Sequence, residues 1–463
     1  MTAQQGSTWS FGGTIGRAKY LFVGLFLFGL KFNVDRIVAA HWNEPWKLYQ
    51  YWLPDPILGT ATAPGNRGFV VTLLLCAVPF ILVGVVLTLK RLRSAALPLW
   101  LVALFFIPFV NLIFFAVMSL VPTRDIDGAH SGPPSWLPQS NEGAIAAGVL
   151  AFVTTAVVGA LTASEGLGWY GFSLFVGTPF MAGLVSGILL NARRDQGGAK
   201  TQTVACAALV ISALAMTALM VEGVICLAMA LPFALPLTMI GAAIGRAIAN
   251  SRTPRFPNPQ FIGALLLLMP GISGMERMLV LEPESFQVQS EIVVNAPANV
   301  VWKNVVSFTE LPPPREAIFK TGIAYPIRAE IRGTGVGATR RCVFSTGAFV
   351  EPITAWEEPR RLAFGVQEQP PVMRELSLRD DLVPAHVSDQ YLRSTAGEFV
   401  LEPLPGGKTR IVGTTWYQLR FWPSSYWRLW SNGIIHRIHM RVLEHIKSIS
   451  EAKLDLARER LLR

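Results

Sequence analysis

The stretch "TTWYQLRFWPSSYWRLWSNGIIHRIHMRVLEHI", residues 414–446, joins two kinds of sequence pattern. Residues 408–419 alternate between apolar and polar positions, which predicts a β-strand that ends within this stretch. Pro423 followed by Ser424 and Ser425 predicts the start of a long helix, which we place at about 424–457. At ~100° per residue, five aliphatic residues form one buried stripe of this helix: Ile435, Ile438, Val442, Ile446 and Ile449.

Strand patterns also precede this stretch. The segment "FQVQSEIVV" (286–294) alternates, and "NAPANVVWKNVVSF" (295–308) predicts a short helix opened by Asn295 or Pro297. Further strands are predicted at 325–333, 337–346, 348–357, 360–367, 396–403 and 408–419. Strand-like residues follow the glycines of "GTGVGATRR" (333–341), which favours a hairpin turn over a phosphate-binding loop. The elements predict an α+β helix-grip fold, with a curved antiparallel sheet around the C-terminal helix and a cavity between them.

The first 281 residues have the composition of a membrane protein. Of the whole chain 51% is hydrophobic and only 15% charged, and the charges concentrate after residue 281. Eight apolar stretches approach the ~20 residues that span a bilayer as helix: 19–40, 68–89, 97–121, 143–163, 170–191, 202–220, 223–248 and 261–281. We predict a multi-pass membrane region in two parts, 1–125 with about three segments and 126–281 with about five, followed by a soluble domain at 282–463. The expected location is the bacterial inner (plasma) membrane, with the lipid bilayer as a partner.

Basic loops predict the orientation of the membrane region. The loops 90–93, 192–200 and 246–255 are rich in Lys and Arg and should all be cytoplasmic. Three full spans between the first two loops would place them on opposite sides, so one candidate must fail to cross. The "IPFVN" motif makes 97–121 the expected exception, as a re-entrant hairpin. With this arrangement the C-terminal domain is expected on the outer face if 261–281 crosses, whereas without the re-entrant hairpin it would be cytoplasmic.

Several classes of site are disfavoured. The basic excess lies in short loops, so it indicates topology and no nucleic-acid partner. The four cysteines, Cys76, Cys206, Cys226 and Cys342, include no Cys-x-x-Cys pair, so neither a disulfide framework nor a Cys-based zinc site is indicated. His439 and His445 lie at opposite edges of the helical stripe, and His436 points away, so we predict no metal. No cofactor is predicted, and the sequence does not indicate an oligomeric state.

Two parts of the chain resemble known families. The segments "SEIVVNAPANVVWKNVVSFTELP" (290–312) and "IIHRIHMRVLEHIKSISE" (434–451) resemble the START-like superfamily, also called SRPBCC or the polyketide cyclase/dehydrase-like group. That resemblance implies binding of lipids, sterols, polyketides or other apolar molecules, with catalysis in a minority of members. Residues 15–121, through "IGRAKY", "LKRLRSAALPLWL" and "IPFVN", resemble an uncharacterised family of small bacterial inner-membrane proteins, although the His-Asp pair usual in that family is missing.

The predicted cavity defines candidate site residues. Those expected to bind an apolar small molecule (a lipid, an isoprenoid or a polyketide-like compound) are Tyr325, Phe344, Met373, Trp416, Tyr417, Trp427, Ile435, Ile438, His439 and Val442. Strand alternation allows only one of Trp416 and Tyr417 to face the cavity. Candidates for acid-base chemistry are His439, His445, Glu351, Glu375, Tyr417, Tyr325 and His386. The alternative for the glutamates is pairing with arginines such as Arg341 and Arg374.

The long connection 368–395 is predicted to cover the cavity entrance, with Met373, Leu376, Leu382 and Val383 toward the ligand. Three functions remain open. The first is binding of an apolar molecule beside the bilayer. The second is a cyclase- or dehydratase-type enzyme that uses cavity His, Glu or Tyr side chains, and the third is a membrane-tethered sensor or protein-interaction module. We favour binding over catalysis because no spacing defines a nucleophile, base and orienting group.

Overall fold

The structure is a computed structural model. It describes residues 13–44, 46, 51, 67–106, 110–121, 123, 137–163, 170–219, 221–250, 259–278, 283–375, 387 and 391–461. The chain divides into two compact units. The first comprises Met1–Met216 and Ala230–Val280, and the second comprises Thr217–Met229 and Leu281–Arg463. A short segment between two apolar helices, Thr217–Met229, therefore belongs with the C-terminal domain.

The first unit is helical. Its helices are α1 (Arg17–His41), α2 (Arg67–Ser94), α3 (Val110–Leu120), α4 (Asn141–Leu161), α5 (Thr178–Asn191), α6 (Gly198–Ala218), α7 (Val224–Ala249, whose first turns belong to the second unit) and α8 (Pro259–Met278). Among the described residues, five helices are long and apolar enough to cross a membrane. They are Gly68–Ser94, Asn141–Leu161, Ser173–Asn191, Gly198–Ala218 and Val224–Ala249. Helix α1 is not among them, because it carries Lys31, Asp35 and Arg36.

The segment predicted at 97–121 is not one continuous helix. It consists of a 3₁₀ helix, Leu99–Phe106, and the short helix α3. Arg91, near the end of α2, donates from Nε to the carbonyl oxygen of Met118 at 2.8 Å and from Nη2 to that of Val121. Both ends of the segment therefore lie beside the end of α2, so the segment does not cross the unit as a single span.

One end of the first unit gathers the loops rich in Lys and Arg, and we call it the basic end. Gln196 Nε2 donates to Asn141 Oδ1 at 3.0 Å, which places the start of α4 beside the 192–200 loop. Arg246, near the end of α7, donates from Nε and Nη2 to the two carboxylate oxygens of Asp195, each at 2.7 Å. The turn after α2 lies at the same end, because Ala96 lines one groove together with Arg246. With 97–121 returning to this end, the described parts of the three basic loops lie at one end of the unit.

Glycines bring two apolar helices into close contact. A Cβ at Gly183 or Gly187 of α5 would lie 2.3 or 2.4 Å from a backbone oxygen of α7. Conversely, a Cβ at Gly241 or Gly245 of α7 would lie 2.1 or 2.2 Å from a backbone oxygen of α5. Two small-xxx-small motifs therefore face each other, which is a packing mode typical of helices in membranes.

The second unit contains an antiparallel sheet and a long helix. Its strands are β1 (Glu284–Val294), β2 (Pro326–Arg332), β3 (Thr339–Phe344), β4 (Gly347–Glu357), β5 (Arg361–Gly365), β6 (Leu392–Leu404) and β7 (Lys408–Leu419). They form one sheet in the order β1-β7-β6-β5-β4-β3-β2. Helix α9 (Ala298–Val306) and a 3₁₀ helix, Ala317–Thr321, connect the two edge strands, and α10 (Ser424–Leu461) follows β7. This order confirms the predicted helix-grip fold.

Helix α10 packs its predicted stripe against the sheet. Val442, Leu443 and Ile446 are buried in one core cluster with Leu362 of β5 and Ile411 of β7. Each fully buried aliphatic side chain contributes about 1.5–3 kcal/mol relative to an exposed one, so this contact holds helix and sheet together. The glycine-rich segment at 333–337 forms the turn between antiparallel β2 and β3, as predicted. Gly335 has a φ of 81°, a left-handed conformation that favours glycine.

Candidate functional site

Two adjoining chambers lie between the sheet and α10. Each has a volume of about 120 Å³. Their linings share five residues: Phe344 and Phe349 from the β3–β4 hairpin, Ser394 from β6, and Ile435 and Ile438 from α10. We call the chamber that also contacts Arg340 and Glu351 the inner chamber, and the one that also contacts Met373 and Trp427 the outer chamber. The shared residues form the junction between the two.

The inner chamber contains a buried ion pair that the strand register creates. Arg340 of β3 lies directly opposite Glu351 of β4, and Arg340 Nη1 donates to Glu351 Oε2. The two side chains are only 2% and 7% exposed. The expected partner of Glu351, Arg341, is the next residue along β3 and lies on the exposed face, because side chains alternate along a strand.

Aromatic rings surround the Arg340 guanidinium. Its central carbon lies 5.7 Å from the ring centre of Phe308, 5.1 Å from that of Phe364 and 5.7 Å from that of Phe399. Contacts at these distances favour a cation. Arg340 Nε is buried and has no hydrogen-bond partner among the described residues, which leaves one donor available.

The pKa values of the pair follow from burial and mutual attraction. Burial raises the pKa of Glu351, and the Arg340 charge opposes part of that rise. Burial lowers the pKa of Arg340, but the Glu351 carboxylate more than compensates, so the guanidinium stays charged. The inner chamber therefore offers a fixed dipole inside an apolar shell.

His439 lines the inner chamber, and its imidazole contacts two hydroxyl groups. Its Nε2 lies 2.7 Å from Thr415 Oγ1, and its Nδ1 lies 3.1 Å from Ser290 Oγ. Ser290 Oγ also lies 2.7 Å from Nδ1 of the exposed His436. Burial, together with the nearby His436, lowers the pKa of His439 to about 4. The imidazole is therefore neutral at pH 7, with both ring nitrogens in hydrogen bonds.

The lowered pKa of His439 predicts a loss of stability in acid. An unfolded imidazole titrates near ~6.5, so the unfolded chain binds the proton first between that pH and about 4. Stability should therefore fall as the pH decreases through this window. His439→Gln, which retains a donor and an acceptor, should make the melting temperature of the C-terminal domain less dependent on pH between 7.5 and 4.5. Equal pH dependence of variant and wild type would contradict this explanation.

The outer chamber is largely apolar. Met373 and Trp427 contribute from two sides, and Cys226 and Met229, from the first turns of α7, complete the wall. The segment 369–373 forms a further side and is held to β6 by Gln369, which donates from Nε2 to the Leu392 carbonyl at 2.8 Å and accepts from the Ser394 N–H at 2.7 Å. The described part of the long connection 368–395 therefore lines the chamber.

Glu375 contacts a helix end rather than the cavity. Its carboxylate accepts hydrogen bonds from the backbone N–H groups of Ile225 and Cys226, at 3.2 and 3.3 Å. A carboxylate at this position satisfies free N–H groups and the positive end of the helix dipole. A Cβ at Gly223 would lie 2.1 Å from Glu375 Oε2, so glycine permits this close approach.

The Glu375 contact predicts the reactivity of one cysteine. Glu375→Ala removes the acceptor for two buried N–H groups, which should weaken the docking of Thr217–Met229 by about 1–2 kcal/mol. A maleimide should therefore label Cys226 roughly fivefold faster, or more, in full-length Glu375→Ala than in the wild type. Peptide mass spectrometry measures the labelling rate. Glu368→Ala, an exposed glutamate on the same segment, is the matched control and should leave the rate unchanged. Equal labelling rates in Glu375→Ala and Glu368→Ala would contradict the role of the Glu375 contact in docking Thr217–Met229.

The remaining predicted residues lie in several places. The Tyr417 hydroxyl donates to Asn432 Oδ1 at 2.6 Å and lies 2.9 Å from Ser431 Oγ, and neither Tyr417 nor Trp416 is among the described residues that line the two chambers. The Tyr325 ring lies 5.5 Å from the Arg441 guanidinium. His445 Nε2 lies 3.4 Å from Thr309 Oγ1. Leu376, Leu382, Val383 and His386 fall outside the described residues.

Among the described residues, no group of three or more His, Cys, Asp or Glu side chains could hold a metal ion. The structure adds residues that the sequence analysis did not single out, above all Arg340, Ser290 and Thr415. The one sequence signal for Arg340 is a charged residue at an inward position of a predicted strand. Recognising it requires the strand register.

The fold and the chambers define a class of protein, in which apolar helices are joined to a helix-grip domain with a charged inner chamber. No protein-family model matches the chain, and no curated protein matches it. Among solved structures, the chain is similar to the Zhui aromatase/cyclase from Streptomyces sp. R1128, with 14% identity over 37% of this chain and 96% of that chain and a TM-score of 0.27. A norcoclaurine synthase from Thalictrum flavum is 12% identical over 37% and 97% of the two chains, with a TM-score of 0.25. The protein XoxI from Bacillus cereus gives the same identity, coverage and TM-score.

Proposed function

We propose that the C-terminal domain binds one amphipathic molecule, whose apolar body occupies the outer chamber and whose polar end lies in the inner chamber. The observation that carries this proposal is the shared junction, which connects an apolar space to the buried Arg340–Glu351 pair. Binding sites for small molecules combine apolar linings with a few convergent polar groups. Arg340 Nε, which has no hydrogen-bond partner among the described residues, is suited to an oxygen at the polar end, such as a carboxylate, phenol or hydroxyl.

The size of the chambers limits how such a molecule binds. Each volume of about 120 Å³ is below the ~300–1,000 Å³ of typical small-molecule sites. A lipid, isoprenoid or polyketide-like molecule therefore enters only if the walls separate. The 369–373 segment and the first turns of α7 form two walls of the outer chamber, and we propose that these are the parts that move.

Binding is favoured over histidine catalysis. A general base works best when its pKa lies near the working pH, and His439 titrates near 4. One observation supports proton transfer as a second candidate function, namely that Glu351 lines the inner chamber and has a raised pKa. Turnover of a bound molecule that Glu351→Gln abolishes without loss of binding would favour the enzyme.

The binding proposal can be tested with an apolar fluorescent acid. We expect full-length protein in lipid nanodiscs to bind cis-parinaric acid saturably, and its methyl ester about tenfold more weakly, because the uncharged ester carbonyl accepts a weaker hydrogen bond from Arg340 than a carboxylate does. Empty nanodiscs provide the partition background. The proposal would be contradicted if acid and ester associated equally with the protein-containing nanodiscs, and no more than with empty nanodiscs.

We propose further that the C-terminal domain lies on the outer face of the membrane. The basic end of the first unit should face the cytoplasm. Helix α5 ends at the basic end, and Ser173, at the start of the same span, donates its N–H to Glu276 of α8 at 3.1 Å. Helix α8 therefore ends at the opposite end of the first unit, and the C-terminal domain follows it in the sequence. A C-terminal alkaline phosphatase fusion should be active, and a C-terminal green fluorescent protein fusion exported by the same route should be dark.

A further inference from the structure

A groove in the first unit lies apart from both chambers. Its volume is about 630 Å³, within the ~300–1,000 Å³ range of small-molecule sites. Three elements form it at the basic end: the turn and 3₁₀ helix after α2, the first turn of α6 and the last turns of α7. Among the described residues, it shares no lining residue with either chamber.

An ion pair with Asp195 fixes the Arg246 guanidinium in place at the groove. Its Nε and Nη2 are held by Asp195, each at 2.7 Å from a carboxylate oxygen. Its Nη1 lies 3.6 Å from the position that a Cβ at Gly198 would occupy, so the guanidinium adjoins the first residue of α6. A guanidinium held in this way is suited to the oxygens of a phosphate group.

Gln202 provides an acceptor that lacks a donor. Its Nε2 donates to the backbone carbonyl of Met239 at 3.0 Å. Its Oε1 is buried and has no hydrogen-bond partner among the described residues. The amide cannot be reversed, because the Met239 carbonyl requires a donor. An unsatisfied buried oxygen is costly, so a ligand that brings an O–H or N–H donor would be favoured at this position.

The surroundings of the groove have two features typical of a binding site for a lipid headgroup. Trp100, which lines it, is 60% exposed, and tryptophan is enriched where a bilayer meets water. The described residues at the basic end include Lys90, Arg91, Arg93, Arg193, Arg194, Lys200 and Arg246 against Glu142 and Asp195. This excess of positive charge attracts anionic lipids.

We propose that the groove binds an anionic glycerophospholipid of the surrounding bilayer, with its phosphate at Arg246 and a headgroup hydroxyl donating to Gln202 Oε1. Phosphatidylglycerol has both features. Phosphatidylcholine has the phosphate but no donor and no net charge, so it is the matched comparison.

The test uses the full-length protein in nanodiscs that contain equal amounts of phosphatidylglycerol and phosphatidylcholine. Native mass spectrometry measures which lipids remain bound when the disc is removed. We expect about a tenfold preference for phosphatidylglycerol in the wild type. Ala243→Trp fills the groove and should abolish the preference, whereas Leu214→Trp, at a 66% exposed position on α6 outside the groove, should retain it.

Equal retention of the two lipids by the wild type would overturn the proposal, and so would an unchanged preference in Ala243→Trp. If Ala243→Trp does not assemble, Gln202→Leu replaces it, because it removes the acceptor at similar size. We expect Gln202→Leu to reduce the preference severalfold, and an unchanged preference would show that Gln202 does not recognise the headgroup.

Discussion

We expect Arg340→Met to destabilise the C-terminal domain by about 3–5 kcal/mol. The substitution leaves the Glu351 carboxylate, which is only 7% exposed, without its cation in an apolar setting. It also removes the contacts of the guanidinium with the rings of Phe308, Phe364 and Phe399. Thermal unfolding of the full-length protein, followed by near-ultraviolet circular dichroism and by hydrogen exchange in β3 and β4, measures the effect.

Two controls separate a buried ion pair from a general loss of charge. The double variant Arg340→Met/Glu351→Leu should recover most of the lost stability, because replacing both members of a buried pair by apolar groups is often neutral or favourable. Arg410→Met removes an exposed arginine that pairs with Glu291 and Glu402, and should change stability little. A double variant as unstable as Arg340→Met alone would contradict our description of the pair.

The second large effect is expected on binding rather than on stability. Ile438 belongs to the junction, so Ile438→Trp should block passage between the chambers and weaken binding of cis-parinaric acid at least tenfold. Overfilling a packed site costs about 1–3 kcal/mol, so the melting temperature must be measured in parallel.

Ile449→Trp is the matched control for Ile438→Trp. Ile449 lies on the same helix and packs against the core of the second unit, but it does not line either chamber among the described residues. It should lose comparable stability and retain binding. If both variants bind the probe as the wild type does, the two chambers are not its binding site.

Local patterns in the sequence were sufficient to predict the fold of the second unit. Alternation and turn residues predicted the seven strands, because side chains on one face of a sheet repeat every two residues. The stripe from Ile435 to Ile449 predicted the contact of α10 with the sheet. Strand β6 begins at Leu392, before the predicted residue 396, since its first residues pair with the end of β7.

The candidate site could be predicted only in part, because it depends on pairing between distant residues. Phe344, Ile435, Ile438, His439 and Val442 lie in the inner chamber, where strand and helix periodicity had indicated a cavity. The partner of Glu351 depends on which residue of β3 lies opposite it, and that register is not visible in either strand alone. Likewise, the contact of Glu375 with the start of α7 joins residues about 150 positions apart. No local pattern encodes such a contact.

In the membrane region, too, local patterns predicted the helices but not the contacts between them. Apolar stretches of sufficient length were readily recognised, and five of the described helices have the required length and composition. The facing motifs of Gly183, Gly187, Gly241 and Gly245 become significant only when the two helices are known to touch. The basic-end groove likewise consists of residues from three separate elements, which no single stretch of sequence reveals.

The central claim is that the C-terminal domain binds an amphipathic apolar molecule, and small molecules that co-purify with the protein test it most directly. Full-length wild type and the Ile438→Trp variant would be purified in the same detergent, and their bound organic compounds identified by mass spectrometry after extraction. We predict a stoichiometric compound with an apolar body and an oxygen-bearing end in the wild type, reduced at least tenfold in Ile438→Trp. Identical compounds at identical amounts in both proteins would contradict the claim.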